Sequence, residues 1–315
     1  MKQAEFEALH TAQWERCDEI LHHPMAEGDS LPGLYRTICA HLALAKQRRY
    51  SPELVARLND LASRGYFALY GAGHREQRLW LRFFVLDFPR AIARNSRYVW
   101  AAALLFVVPG LLMGLATYGT DDVVYSFFEA GQVRQFETMY EPANDRIGRE
   151  RSSEDDWVMF GIYIYNNIGI AFRTFATGLL FGVGSAFFLV YNGLAIGGVA
   201  GHLTRAGYAV TFYPFVIGHG ALELTAIVLS GAAGLRLGAA LLAPGQLSRL
   251  GALRLAAAEC ALIVYGAGAM LLFAAAIEAF WSSRSGLSPG VRIGAGAVLW
   301  LLVLFYLSSG RRRGP

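Results

Sequence analysis

The chain has 315 residues, 55% hydrophobic and 17% charged, with a mean hydropathy of +0.36 and a formal net charge of +4. An ordinary soluble domain is about 25% charged, so a wholly soluble globular protein is excluded. The deficit is uneven: residues 1–97 are rich in Arg, Glu, His and Asp, whereas 98–120, 174–204 and 293–310 carry no Asp, Glu, Lys or Arg.

In chain order, residues 2–22 predict an amphipathic helix with Phe6, Leu9, Trp14, Cys17 and Leu21 along its apolar stripe. His22, His23 and Pro24, followed by 27–30, predict a loop. A second helix over 31–48 buries Leu34, Ile38, His41 or Leu42, and Ala45, and ends in basic residues that suit a helix C-terminus. Ser51, Pro52 and Glu53 mark a third start, with Ser as N-cap and Pro at the first helical position. Gly65 is expected to end or bend that helix. No apolar stretch of the kind that forms a secretory signal occupies the first 30 residues.

Residues 74–97 are basic and aromatic. Arg75, Arg78 and Arg82 share a helix face near Trp80, Phe83, Phe84 and Phe88, a pattern suited to an anionic membrane surface rather than to nucleic acid. Arg90, Arg94 and Arg97 precede the first span, and the positive-inside rule puts that end in the cytoplasm. Residues 121–156 carry ten acidic side chains against four Arg, as expected of an external loop. Val124, Phe127, Phe128, Phe136, Met139 and Tyr140 there predict amphipathic turns lying on the outer leaflet.

About six membrane segments follow from the apolar runs, with the count least determined within 157–204. The expected fold is all-α: a polytopic helical membrane bundle (98–315, with the acidic external loop 121–156) behind an N-terminal cytoplasmic helical domain (1–97). The location is the inner, cytoplasmic membrane, with both termini in the cytoplasm. Cys17, Cys39 and Cys260 show no pairing or metal-ligand spacing.

Polar residues inside the apolar region stand out, because each costs several kcal/mol in hydrocarbon without a partner. Gly178 and Gly182, followed by Gly193, Gly197 and Gly201, recur four apart and are expected to lie on one helix face that another helix approaches closely. Asn166, Asn167 and Asn192 can bond neighbouring helices, and Asn192-Gly193 can also break a helix and face a mid-membrane site. His219 and Glu223 are one helical turn apart, either as a neutralised structural pair or as an ion relay. Gly220 lies between them. Arg173 either snorkels or pairs with Glu259 or Glu278. The spacing lacks His-Glu-x-x-His, and no metal or cofactor is expected. No nucleophile elbow accompanies Ser185, and no phosphate-binding loop is present, so an enzyme is not expected.

Asn166-Asn167 before a glycine-rich span, Asn192-Gly193 with Gly197 after it, and His219-Gly220-x-x-Glu223 followed by Gly231 and Gly234 resemble the stage II sporulation protein M family. Residues 35–45 and 51–70 are similar to the cytoplasmic part of its non-sporulating members. In spore formers the family acts in engulfment and organises peptidoglycan-degrading partners. Relatives are often encoded beside MoxR-type ATPases and von Willebrand factor A-domain proteins. The resemblance therefore implies a scaffold for cell-envelope partners in the lipid bilayer, and the small-residue faces are compatible with a homo-oligomer. A transporter or channel using the polar intramembrane core is the alternative.

Overall fold

The computed structural model describes residues 2–22, 31–70, 79–143, 156–282 and 287–312. The loop expected at 23–30, Arg75, Arg78, the acidic residues of 144–155 and Arg313 lie outside these. The chain forms two compact units, Met1–Phe83 and Phe84–Pro315.

The first unit contains α1 (Gln3–His22), α2 (Leu31–Gln47) and α3 (Pro52–Tyr70). Phe6, Trp14, Cys17, Ile38, Ala45, Leu54, Leu58 and Leu61 form its core. Leu9 departs from expectation and is 65% exposed. It points about 60° off the direction of Phe6, and His10, one full turn after Phe6, stacks edge-on against that ring instead. Ser51 Oγ accepts from the Leu54 amide, and Gln3 exchanges two further hydrogen bonds with Ser51, which ties the start of α3 to α1. Gly65 neither ends nor bends α3: the helix runs on to Tyr70, and the missing side chain leaves room for the Tyr35 ring.

The second unit opens with α4 (Phe88–Arg94), then α5 (Ser96–Gly119), the short α6 (Asp122–Tyr125) and α7 (Ala130–Met139). It continues with α8 (Asp156–Ala176), α9 (Val183–Arg205), α10 (Ala209–Leu242), α11 (Arg249–Ile277) and α12 (Pro289–Arg312). The boundary between units falls at 83/84 rather than 97/98. Phe88, Pro89, Ala91 and Ile92 are buried, with Phe88 against Gly266 of α11 and Pro89 against Gly310 of α12, so α4 belongs to the bundle.

Among the described residues five helices, α5, α9, α10, α11 and α12, are long and apolar enough to cross a membrane. The 21-residue α8 is not among them, because Asn166, Asn167 and Arg173 lower its apolarity. It is nonetheless about 32 Å long at 1.5 Å per residue and packs against α10 and α11. In α10, 61% of the most apolar stretch is buried, against 11% in α5 and 17% in α12. Thus α10 is the central post. The outer helices turn Leu111, Leu112 and Leu115, or Leu301, Leu302 and Phe305, outward, as a lipid-facing surface requires.

A glycine seam joins α5 to α9. Gly193 lies on the Phe106 carbonyl, Gly197 on that of Gly110, and Gly201 on that of Gly114. Any Cβ at these positions would collide with backbone, so only glycine allows so close an approach. Both residue numbers rise together along the seam, so the two helices run parallel, and α8 carries the chain back between them. The Thr117 hydroxyl closes the seam by donating to the Gly198 carbonyl at 3.1 Å.

The reversal from α8 to α9 is made by a 3₁₀ turn, Thr177–Leu179, with Phe181 and Gly182 at φ 54° and 85°. Here the chain breaks, not at Asn192-Gly193, where α9 is continuous. Asn192 donates to the Phe188 carbonyl on its own helix at 2.7 Å, which satisfies its amide without a break. Gly178 and Gly182 therefore do not share the face of Gly197 and Gly201: they meet Gly234 and Gly238 of α10 in a separate contact.

A cavity within the helical bundle

The cavity forms where α8, α9, α10 and the end of α11 fail to close on one another. Its volume is about 300 Å³. Along α10, Phe212, Phe215, Val216, His219, Gly220 and Glu223 line it, as 3.6-residue periodicity places them on one face. From α8 come Tyr163, Asn166 and Asn167, and from α9 come Ala195, Ile196 and Val199. Glu278 enters from a single π-helical turn, Glu278–Ser282, that follows α11. Such turns widen the helix and re-aim side chains, and they recur at functional sites.

The deepest part is polar. Asn166 Nδ2 donates to Asn167 Oδ1 at 2.9 Å. Asn167, 2% exposed, lies beside the Glu223 carboxyl, while its own Nδ2 makes no hydrogen bond of ordinary geometry. His219 is buried, its Nδ1 3.3 Å from Ser282 Oγ and its ring edge-on to Phe215. Glu223 and Glu278 are only half-buried despite their depth, because the cavity reaches them. One donor atom each from His219, Glu223 and Glu278 lies within 4.8 Å of the others.

The short helix α7 roofs the cavity. Sequence placed its apolar side on a leaflet; instead Phe136, Met139 and Tyr140 face the cavity, and Val124 and Val133 are fully buried. A capping box between Glu129 and Gln132 starts α7. Glu137 Oε1 meets His202 Nε2 of α9 at 2.9 Å, and Thr211 Oγ1 of α10 donates to the Tyr140 carbonyl at 2.5 Å. At the same end Arg205 forks onto Asp121 at 2.5 and 3.1 Å and donates to the Tyr118 and Gly119 carbonyls that end α5. That hydrogen-bonded guanidinium holds the Asp121 carboxyl below the usual carboxylate range.

Of the residues singled out in the sequence, Asn166, Asn167, His219, Gly220 and Glu223 meet at the cavity. Asn192 and Gly193 do not. Arg173 pairs with neither Glu259 nor Glu278; its Nε donates to the Gly169 carbonyl at 3.0 Å. Glu259 instead stands 4.0 Å from Arg236. Ser185 donates to the Thr174 carbonyl at 2.6 Å, away from His219. The expectation of no metal rested on the missing His-Glu-x-x-His spacing and on the lack of another ligand cluster; the fold brings Glu278 beside His219 and Glu223. Sequence reasoning weighed Glu278 only as a partner for Arg173. Its spacing to Ser282, one helical turn, repeats that of His219 to Glu223 and was the available signal.

The fold and cavity define a multi-pass, all-α membrane protein with a polar site inside its bundle. Residues 102–283, more than half of the chain, match the family Stage II sporulation protein M, and the chain belongs to that family. The match covers the whole cavity. Residues 4–71 match a different family, a domain of unknown function, DUF8413, so the N-terminal helices carry a signature separate from the membrane part. No curated protein and no solved structure gives a significant match. The family is not a known enzyme family.

Proposed function

We propose that the protein admits a small polar or cationic solute to the buried site of its membrane bundle and acts as a transporter or channel. One observation carries this reading: a cavity of about 300 Å³ is lined by Asn167, His219, Glu223 and Glu278 together. Ionisable groups inside a membrane bundle are costly, and a cavity beside them supports a functional role. The volume sits at the lower end of small-molecule sites, which suits an ion or a compact solute.

The parallel run of α5 and α9 supports counting α8 as a crossing, which gives six. Both termini then share one side. Arg90, Arg94 and Arg97 before α5, and Arg236, Arg249 and Arg254 around the α10–α11 turn, fall on that side too, and they support its assignment to the cytoplasm. The cavity roof then faces outward from the inner membrane. The reading is non-enzymatic, supported by the engagement of Ser185 with a backbone carbonyl.

A second reading, a scaffold for envelope proteins, is supported by the N-terminal unit, which has its own core and leaves Leu9 and Phe67 65% and 69% exposed. The two readings separate in reconstituted vesicles. Wild-type protein and Glu223→Gln are compared for proton and divalent-cation flux. The transport reading expects Glu223→Gln to remain assembled and to lose flux. Equal flux in vesicles with wild type, with Glu223→Gln and without protein sinks it and leaves the scaffold.

A further inference from the structure

We infer that His219, Glu223 and Glu278 form a binding site for one divalent first-row transition cation, reached through the cavity beneath α7. The inference rests on the solute-site reading for access and on the side chains for chemistry. Two elements contribute three ligands: α10 supplies the imidazole and one carboxylate a turn apart, and the π-turn after α11 supplies the second carboxylate. Ligands 2.0–2.1 Å from a tetrahedral ion stand about 3.4 Å apart. Closing from within 4.8 Å asks for shifts of about an ångström at the ends of two Glu side chains, not for movement of a helix.

A buried amide aimed into the site points independently to a ligand. Asn167 is 2% exposed, lines the cavity against the Glu223 carboxyl, and makes no hydrogen bond of ordinary geometry through Nδ2. A donor so placed can hold the carboxylate oxygen that does not face the ion, or an ion-bound water. Ser282 Oγ at Nδ1 of His219 does the same for the imidazole and leaves Nε2 for the ion. Such partners around the ligands fix ring orientation in metal sites. Glu223 makes no ion pair with an Arg or Lys among the described residues, so a bound cation would balance its ionised form.

The donor set selects the class. One imidazole with two carboxylates suits Zn²⁺, Mn²⁺, Fe²⁺ or Co²⁺; imidazole disfavours Mg²⁺ and Ca²⁺. No thiol lines the cavity, since Cys260 donates to the Ala233 carbonyl instead, and none of the three ligands is a soft sulfur donor of the kind Cu(I) prefers. Zn²⁺ and Co²⁺ are therefore the appropriate probes.

The test uses the full chain in lipid nanodiscs, stripped with a chelator. Zn²⁺ is titrated by calorimetry, and Co²⁺ by its visible absorption and by spin-echo detection of a bound imidazole. Wild type should take up one ion per chain and show the imidazole signature. His219→Ala, Glu278→Gln and Glu223→Gln should each weaken Zn²⁺ by about 10- to 100-fold, while His202→Ala at the roof changes affinity less than about 2-fold. Should a ligand variant fail to fold, the wild-type Co²⁺ signature decides alone. Absence of saturable binding in wild type, absence of the imidazole signature, or equal Zn²⁺ affinity in folded His219→Ala and Glu278→Gln overturns the inference. Site-specific binding without flux in vesicles removes the transport reading and leaves the metal site. Glu223-dependent flux without Zn²⁺ or Co²⁺ binding does the reverse.

Discussion

The Ser282 hydroxyl stands 3.3 Å from Nδ1 of His219, although 63 residues separate the two in the chain. The contact joins the middle of the central helix to the π-turn that ends α11. It fixes which imidazole nitrogen faces Ser282 and which is left for the cavity. Ser282→Ala keeps the size of the site and removes the contact. It is expected to cost about 1 kcal/mol of stability and to lower Zn²⁺ affinity about 10-fold, read by thermal unfolding and calorimetry on the same preparation.

The seam between α5 and α9 leaves no room for a side chain at Gly197, whose Cβ would strike the Gly110 carbonyl. Gly197→Val should destabilise the bundle by about 1–3 kcal/mol or prevent its assembly. Gly268→Ala is the matched control, because that position has open space around it, and replacing a helical glycine there should be neutral or slightly stabilising. Melting temperatures in one detergent compare the pair.

In the N-terminal unit Trp14 Nε1 donates to His41 Nδ1 at 3.1 Å, so that nitrogen must be unprotonated. Burial, and then the neighbouring His10, hold the His41 pKa below its ordinary value of 6.5. As pH falls through about 6.5 the unfolded chain binds the proton before the folded one does, so stability is complete above that pH and declines below it. Hydrogen exchange in α1, corrected for intrinsic rates, should rise between about pH 7.5 and 5.5, a range chosen around the free His pKa. His41→Gln should flatten the dependence.

The roof helix α7 is tied down through Glu137 to His202, the Tyr140 carbonyl to Thr211, the Phe136 ring on Phe128, and the rings of Tyr140, Phe212 and Phe215. A short segment at the end of a bundle opens at smaller free-energy cost than the packed core. Combining Glu137→Gln with Thr211→Val should raise hydrogen exchange in α7 several-fold and leave α10 unchanged. An equal rise in α10 shows that the roof and the bundle open as one unit.

Much of this fold was legible because hydrocarbon imposes simple patterns. Uncharged runs marked α5, α9 and α12, and the helical spacing of His219 and Glu223 put both on one face. What could not be read depended on partners distant in sequence. Glu278 joins the site only because a π-turn aims it there. The glycines of 178–201 fall into two interfaces because the chain reverses at Gly182. Asn192 stays within its helix because Phe188 offers a carbonyl one turn back. The aromatic side of α7 was visible, but nothing local says whether such a side meets lipid or roofs a cavity.

Solvent entry to the polar site through the cavity is read by cysteine accessibility. In a chain with Cys17, Cys39 and Cys260 replaced by Ser, Val199→Cys on the cavity wall is compared with Leu115→Cys on the outward face of α5. A charged, membrane-impermeant thiol reagent is applied to intact vesicles. Val199→Cys should react, Leu115→Cys should not, and Zn²⁺ should slow the reaction. A folded Val199→Cys protein that stays as inert as Leu115→Cys would contradict solvent entry.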